Sequence, residues 1–230
     1  MKNRRHPTAP LIHQNKDKAM KTKTIYQLLV DASGSMSDVR SETLESINSQ
    51  ILSIRSLANE VKEQEILVSL CFFNSDTRSV YSSLHPDQAP ILELSQYRTN
   101  GSTALLDALG QRMEEISKSI TPYDDVVMVV VTDGAENASQ FYTSQQVARR
   151  ISEKKESGHW TFSFLGADFD SWNVARQLNI DRDEVRFTRK SDLRQAMMEV
   201  NECVSEFVHS KEAGMKKKGL FKRDDQDSKS

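Results

Sequence analysis

Only two cysteines occur in the 230 residues, at 71 and 203, too few for a disulfide framework; each reads as a buried thiol of a reducing compartment. No stretch approaches the ~18 consecutive apolar residues of a membrane-spanning helix. The N-terminal segment also lacks the apolar core of roughly 7–15 residues that marks a secretory signal. No membrane span is therefore expected, and the expected location is cytoplasmic. Histidine is sparse: the five, at 6, 13, 85, 159 and 209, are not spaced as a metal pair, which argues against the common zinc and copper motifs. Hydrophobic residues make up 37% and charged residues 28%. That is polar for a globular chain, so part of its length is expected outside any packed core.

The charge is unevenly spread. Residues 1–23 carry seven Lys and Arg against Asp17, and residues 211–230 carry seven against Glu212, Asp224, Asp225 and Asp227. The ends are thus near +6 and +3, which leaves about −11 on the residues between them within a chain of net −2. An acidic body suits cations and not nucleic acid. Both ends are expected to be disordered: the first has Pro7, Pro10 and no periodicity, and the second is dominated by charge. Met20 could open a shorter version of the chain. The run "MKKKGLFKR", 215–223, mixes Lys with Leu220 and Phe221 in the manner of an anionic-membrane or RNA contact, although solvated disorder accounts for it as well.

Between the ends, strand and helix patterns alternate. "TIYQLLVD" (24–31), "EILVSLCFF" (65–73), "DVVMVVVTD" (125–133) and "WTFSFLGA" (160–167) read as strands, and a short strand is expected near 185–188. "RSVYSSLH" alternates polar and apolar residues after the turn "NSDT", as an antiparallel edge partner would. Helices are expected over about 38–60, with Leu44, Ile47, Ile51, Ile54, Ala58 and Val61 on one face, and over 103–120, with Leu105, Leu109, Met113, Ile116 and Ile120. Further helices are expected near 143–157, 171–178 and 191–209, the last opened by Ser191 as N-cap. The order predicts an α/β domain over 24–210: a doubly wound, Rossmann-like sheet, mostly parallel with one antiparallel edge strand, with helices on both faces.

Three of the apolar strands end in aspartate: Asp31, Asp133 and Asp168. In an open parallel sheet, strand C-termini line one edge, where ligand sites form. Carboxylates gathered there repel one another unless a cation bridges them, and the loops "DASGSMSD" and "TDGAEN" contain no Lys or Arg. Their donors are carboxylates and hydroxyls. Such hard oxygens suit Mg²⁺, with Mn²⁺ or Ca²⁺ as alternatives, over zinc or copper.

These residues resemble a known family. Asp31, Ser33 and Ser35, as D-x-S-x-S after the first strand, are similar to the metal-binding loop of the von Willebrand factor type A domain. "NGSTALLDAL" supplies Thr103 where that family has a distant threonine, and "VVVTDGAEN" supplies Asp133 where it has its last aspartate. The resemblance covers about 24–210 and is nearest to stand-alone bacterial and phage members. It implies a metal-ion-dependent adhesion site. Ser33, Ser35 and, in one state, Thr103 would contact Mg²⁺, with Asp31 and Asp133 direct or through water, and a partner's Asp or Glu would fill the open position. Gly34 and Gly134 are expected to let the backbone turn sharply beside these ligands. Asp168, Asp170 and Glu136 either orient metal-bound water or form a solvated acidic rim, and Asp107 favours the N-terminus of its helix.

Two functions compete. A non-enzymatic, metal-dependent protein-binding module needs no base or nucleophile, and no His or Lys adjoins the five candidate residues. The alternative is a Mg²⁺-dependent hydrolase or phosphatase with Asp31 as nucleophile. Aspartyl phosphatases need a second acid two residues on, and Ser33 stands there.

Overall fold

The run that ends at Asp31 is the hub of the sheet. The computed structural model describes residues 22–133, 136–166, 169–188 and 192–213. Its strands are β1 (Thr22–Asp31), β2 (Gln64–Phe73), β3 (Thr77–Leu84), β4 (Asp125–Thr132), β5 (Trp160–Gly166) and β6 (Val185–Phe187). They form one sheet in the order β3-β2-β1-β4-β5-β6. All neighbours are parallel except β2 and β3, which form an antiparallel hairpin at the edge.

Helices α1 (Arg40–Glu60), α2 (Leu105–Ser119), α3 (Ser144–Glu156), α4 (Phe169–Gln177) and α5 (Leu193–Glu212) make the crossovers and the C-terminal cover. β1 is buried at every position from Thr24 to Asp31 because both its faces are covered. Tyr26, Leu28 and Val30 pack with Leu44, Ile47 and Ile51 of α1 and with Val200 and Val204 of α5. Ile25 and Leu29 point the other way, into a second core with Leu109 and Met113 of α2, Val147 and Ile151 of α3, and Ala175 of α4. Buried amides tie α5 down: Gln50 Nε2 donates to the Met197 carbonyl at 2.9 Å and Gln64 Nε2 to the Val208 carbonyl at 3.0 Å. Among the described residues, no helix is long and apolar enough to cross a membrane.

Several boundaries differ from the sequence expectation. β1 starts at Thr22, so Thr22 and Lys23 pair with Gln64 and Glu65 and do not belong to an N-terminal extension. α5 runs on to Glu212, and Lys211 Nζ donates to Asp125 Oδ1 at 2.9 Å, so the C-terminal tail starts later than 211. Residues 1–21 and 214–230, with the disorder expected for them, lie outside the described residues, as do Gly134, Asp168 and Ser191. A 3₁₀ segment, Gly34–Val39, precedes α1 where helix was expected from 38. α2 begins at Leu105 and not at 103, because the backbone of Thr103 and Ala104 is bonded to other loops.

Candidate metal centre

At the C-terminal edge, β1 is flanked by β2 on one side and β4 on the other, and chain order reverses between β1 and β4. This is the switch-point crevice of an open α/β sheet. Asp31 ends β1 there and is 0% exposed. Its Oδ1 accepts the Ser33 amide at 2.7 Å and its Oδ2 accepts the Thr132 hydroxyl at 2.6 Å. Ser33 Oγ lies 3.0 Å from Ser35 Oγ, and Ser35 Oγ donates to Asp133 Oδ1 at 2.6 Å. Asp31, Ser33, Ser35 and Asp133 therefore form one hydrogen-bonded chain that joins the β1 and β4 tips. Ser33 and Asp133 are buried with Asp31, and Ser35 is the exposed member.

Thr103 reaches the same edge by a different route. Gly34 N donates to the Gly101 carbonyl at 3.0 Å, and Asn100 N donates to the Ala32 carbonyl at 2.8 Å. The loop before α2 is thereby held against the β1 loop. Thr103 N donates to Asn137 Oδ1 at 2.9 Å, and its carbonyl accepts the amides of Asn137 and Ala138, which fastens it to the loop after β4. Its side chain is buried and is not the cap of α2: the N-cap is Ala104, which makes no side-chain cap bond. Ser33, at the N-cap of the 3₁₀ segment, makes no cap bond either. Capping thus accounts for neither hydroxyl.

Burial pushes the Asp31 carboxyl above the usual carboxylate range. The hydrogen bonds from Thr132 and Ser33 pull it back, and the nearby Asp133 charge raises it further. Two carboxylates, Asp31 and Asp133, thus stand close enough at this edge for the charge of one to raise the pKa of the other. Among the described residues, no three His, Cys, Asp or Glu side chains form a metal cluster. The side chains of the five expected residues carry two carboxylates and three hydroxyls, a set that would fit a hard cation and no soft one. Histidines 85, 159 and 209 each lie apart, beside Asp87, Asp125 and Glu60.

Three sequence expectations change here. Gly34 has no left-handed φ, and a Cβ on it would meet its nearest neighbour, the Gly101 carbonyl oxygen, at an ordinary 3.5 Å. The glycine whose conformation the site requires is Gly101, at φ +73°, which turns its carbonyl toward Gly34 N. Glu136 is neither a free rim acid nor an orienter of water. Its carboxylate accepts the Leu106 amide at 2.9 Å, capping α2, and also the amides of Ala138 and Ser139 and the Ser139 hydroxyl. Asp107 does more than favour a helix start. Its Oδ2 accepts the Gln140 amide and its Oδ1 the amides of Phe141 and Tyr142, at 2.7–2.9 Å. Asp170 is described only through the backbone of α4.

The family model for the von Willebrand factor type A domain matches residues 27–202. No curated protein matches the chain. Among solved structures, the vWF domain of the type V pili tip protein Mfa5 from Porphyromonas gingivalis superposes with a TM-score of 0.59 at 9% identity, covering 83% of this chain and 97% of that one. The pilus adhesin SpaC from Lactobacillus rhamnosus GG gives 0.60 at 16% identity, over 84% and 31%. A von Willebrand factor type A protein from Catenulispora acidiphila gives 0.50 at 14% identity, over 78% and 42%. The chain thus spans less than half the length of the last two, and at these identities the likeness is one of fold. Sheet order, helix placement and the match over 27–202 converge on one assignment: the chain belongs to the von Willebrand factor type A domain family.

Proposed function

We propose that this domain is a non-enzymatic, divalent-metal-dependent protein-binding module. On this reading Asp31, Ser33, Ser35, Thr103 and Asp133 hold Mg²⁺, with Mn²⁺ or Ca²⁺ as substitutes, and the ion takes an Asp or Glu carboxylate from a protein partner. Domains of this family are commonly adhesion or protein-interaction modules. The observation that carries the reading is the hydrogen-bonded chain from Asp31, through the Ser33 amide and then the Ser33 and Ser35 hydroxyls, to Asp133. Its hydroxyl–hydroxyl and hydroxyl–carboxylate spacings, 3.0 and 2.6 Å, bracket the ~2.9 Å between neighbouring ligands of an octahedral ion bound at about 2.05 Å. The ion would supply positive charge between the carboxylates of Asp31 and Asp133. The residues would orient it and leave the exposed Ser35 side for the guest.

Hydrolysis finds no support in the geometry. Asp31 is fully buried and both of its oxygens already accept hydrogen bonds, so it is poorly placed for attack on a substrate. A cytoplasmic setting goes with two free thiols that sit in separate cores, Cys71 on one face of the sheet and Cys203 against the other. Calorimetric titration of the full chain with MgCl2, followed by an Asp-bearing peptide, tests the proposal. Saturable metal uptake and peptide binding that EDTA abolishes are expected. Peptide binding indifferent to EDTA, or to Asp133→Ala in folded protein, would contradict it.

A further inference from the structure

Beside the oxygen cluster, the sheet edge opens into a groove of about 580 Å³, within the size range of binding sites. Ala32 and Asn100 form the part nearest the site, Phe72 and Val80 line it further along, and Arg78 and Arg98 stand over it. Arg78 Nη2 donates to the Gln96 carbonyl at 2.8 Å, with its guanidinium 5.3 Å over the Phe72 ring. Arg98 Nε donates to the Ser95 carbonyl at 3.1 Å. Each guanidinium carries five N–H donors. These backbone bonds hold both groups in place while leaving most of their donors uncommitted. Among the described residues, neither arginine is ion-paired with a carboxylate. Asp76 also lines the groove, so two guanidiniums face one carboxylate there, on a body whose charge is near −11.

We infer that this groove binds the segment flanking the metal-directed acid of the same partner: an extended acidic peptide with a second carboxylate for Arg78 and Arg98. The inference rests on the metal-site reading, because the groove reaches Ala32, which lies in the chain between Asp31 and Ser33. The register sets the spacing. Val30 pairs with Phe72, and Phe72 with Arg78, so Arg78 stands two strands across from the end of β1. At ~4.8 Å per strand that is about 10 Å. An extended peptide covers this distance in about three residues. The preferred partner therefore presents acids at about i and i+3, in either direction along its chain. A partner of the opposite charge would meet two guanidiniums at close range and be rejected.

The test uses two labelled Gly/Ser peptides and the full-length chain in excess MgCl2. One peptide carries Asp at three positions, each three residues apart; the other keeps only the central Asp and has Asn at the outer two. The first is expected to bind about tenfold more tightly, a preference that shrinks with added salt. Arg78→Ala/Arg98→Ala should erase that preference while leaving the single-Asp peptide bound as in the wild type. Arg78→Glu/Arg98→Glu should shift it to a peptide with outer lysines. An undiminished preference in both double variants, with fold confirmed by circular dichroism, overturns the inference even if EDTA abolishes all binding. Conversely, an arginine-dependent preference that survives EDTA supports the groove and counts against the metal reading. Mg²⁺-dependent self-association that blocks the peptide would assign the groove to a second copy and also overturn the inference.

Discussion

Replacing Asp107 by Ala should free the loop that carries Asp133. The Asp107 carboxylate accepts three consecutive amides, those of Gln140, Phe141 and Tyr142, at 2.7, 2.9 and 2.8 Å. It lies buried in the first turn of α2, four residues after Thr103, and its own amide donates to Ser139 Oγ. Hydrogen bonds to a charged group contribute about 1.5–3 kcal/mol each when desolvated. Residues 140 and 141 are exposed, so water replaces part of what is lost, and the loss is about 3 kcal/mol in total. For a domain of this size that lowers Tm by roughly 6–12 °C. Asp107→Asn should cost nearly as much, because an amide offers one acceptor oxygen where two are used and turns a donor toward a donor. The assay is thermal unfolding combined with amide exchange resolved to single residues. The amides of 140–142 should lose protection while those of β4 keep theirs. Unchanged exchange at 140–142 together with an unchanged Tm would refute the reasoning.

Three more outcomes are expected. Gly110→Ala should destabilise the domain, because the new Cβ would lie 2.6 Å from the Tyr142 ring, and overpacking of about 1–3 kcal/mol outweighs the ~1 kcal/mol gain in helix propensity; in a Tyr142→Ala background the same change should stabilise, and a double-mutant cycle by urea unfolding reads the sign reversal. Asp31→Asn should abolish metal binding yet leave metal-free Tm equal to or above that of the wild type, since an amide can keep the Ser33 and Thr132 contacts without a buried charge beside Asp133; a clear loss of metal-free stability would count against it. Asp124 is pushed up by burial but pulled further down by hydrogen bonds from Thr121 and Lys23, so its folded pKa lies below the usual carboxylate range. A depressed folded pKa gives stability that is complete above the unfolded value near 4 and is lost as pH falls through the folded one. The stability gap between wild type and Asp124→Asn should therefore be about 1 kcal/mol at neutral pH and shrink in acid, and an equal gap at both pH values would contradict this.

Much of this was legible in the sequence because it rests on residue type at short range. β1, β2, β4 and β5 are apolar runs covered on both faces, and such runs announce themselves. The polar ends of β1 and β4 meet at one edge, as their sequence suggested, and a hydrogen-bonded chain joins four of the five residues expected there. What the sequence hid is long-range. Asp107 reads as an acid in a first helical turn, and nothing near it in sequence points to amides some 33 to 35 residues away. Glu136 reads as a rim acid beside Asp133, because a helix cap supplied from a different loop leaves no local signature. The same holds for Gly101: its left-handed φ matters only because its carbonyl meets Gly34 across two loops, while Gly34, between the two serines, looked like the residue under constraint. Arg78 and Arg98 come together only through the β2–β3 register and the 3₁₀ turn at Leu94–Gln96.

On the proposed reading, oxygens from three separate loops surround one hard ion. Crystals of the full chain grown with MnCl2 and measured for anomalous scattering test it most directly. The account predicts a single strong peak at the β1–β4 edge, about 2.1 Å from the hydroxyls of Ser33 and Ser35 and within direct or water-bridged reach of Asp31, Thr103 and Asp133. A well-ordered map with no peak there, or with the ion bound by other residues, would contradict it.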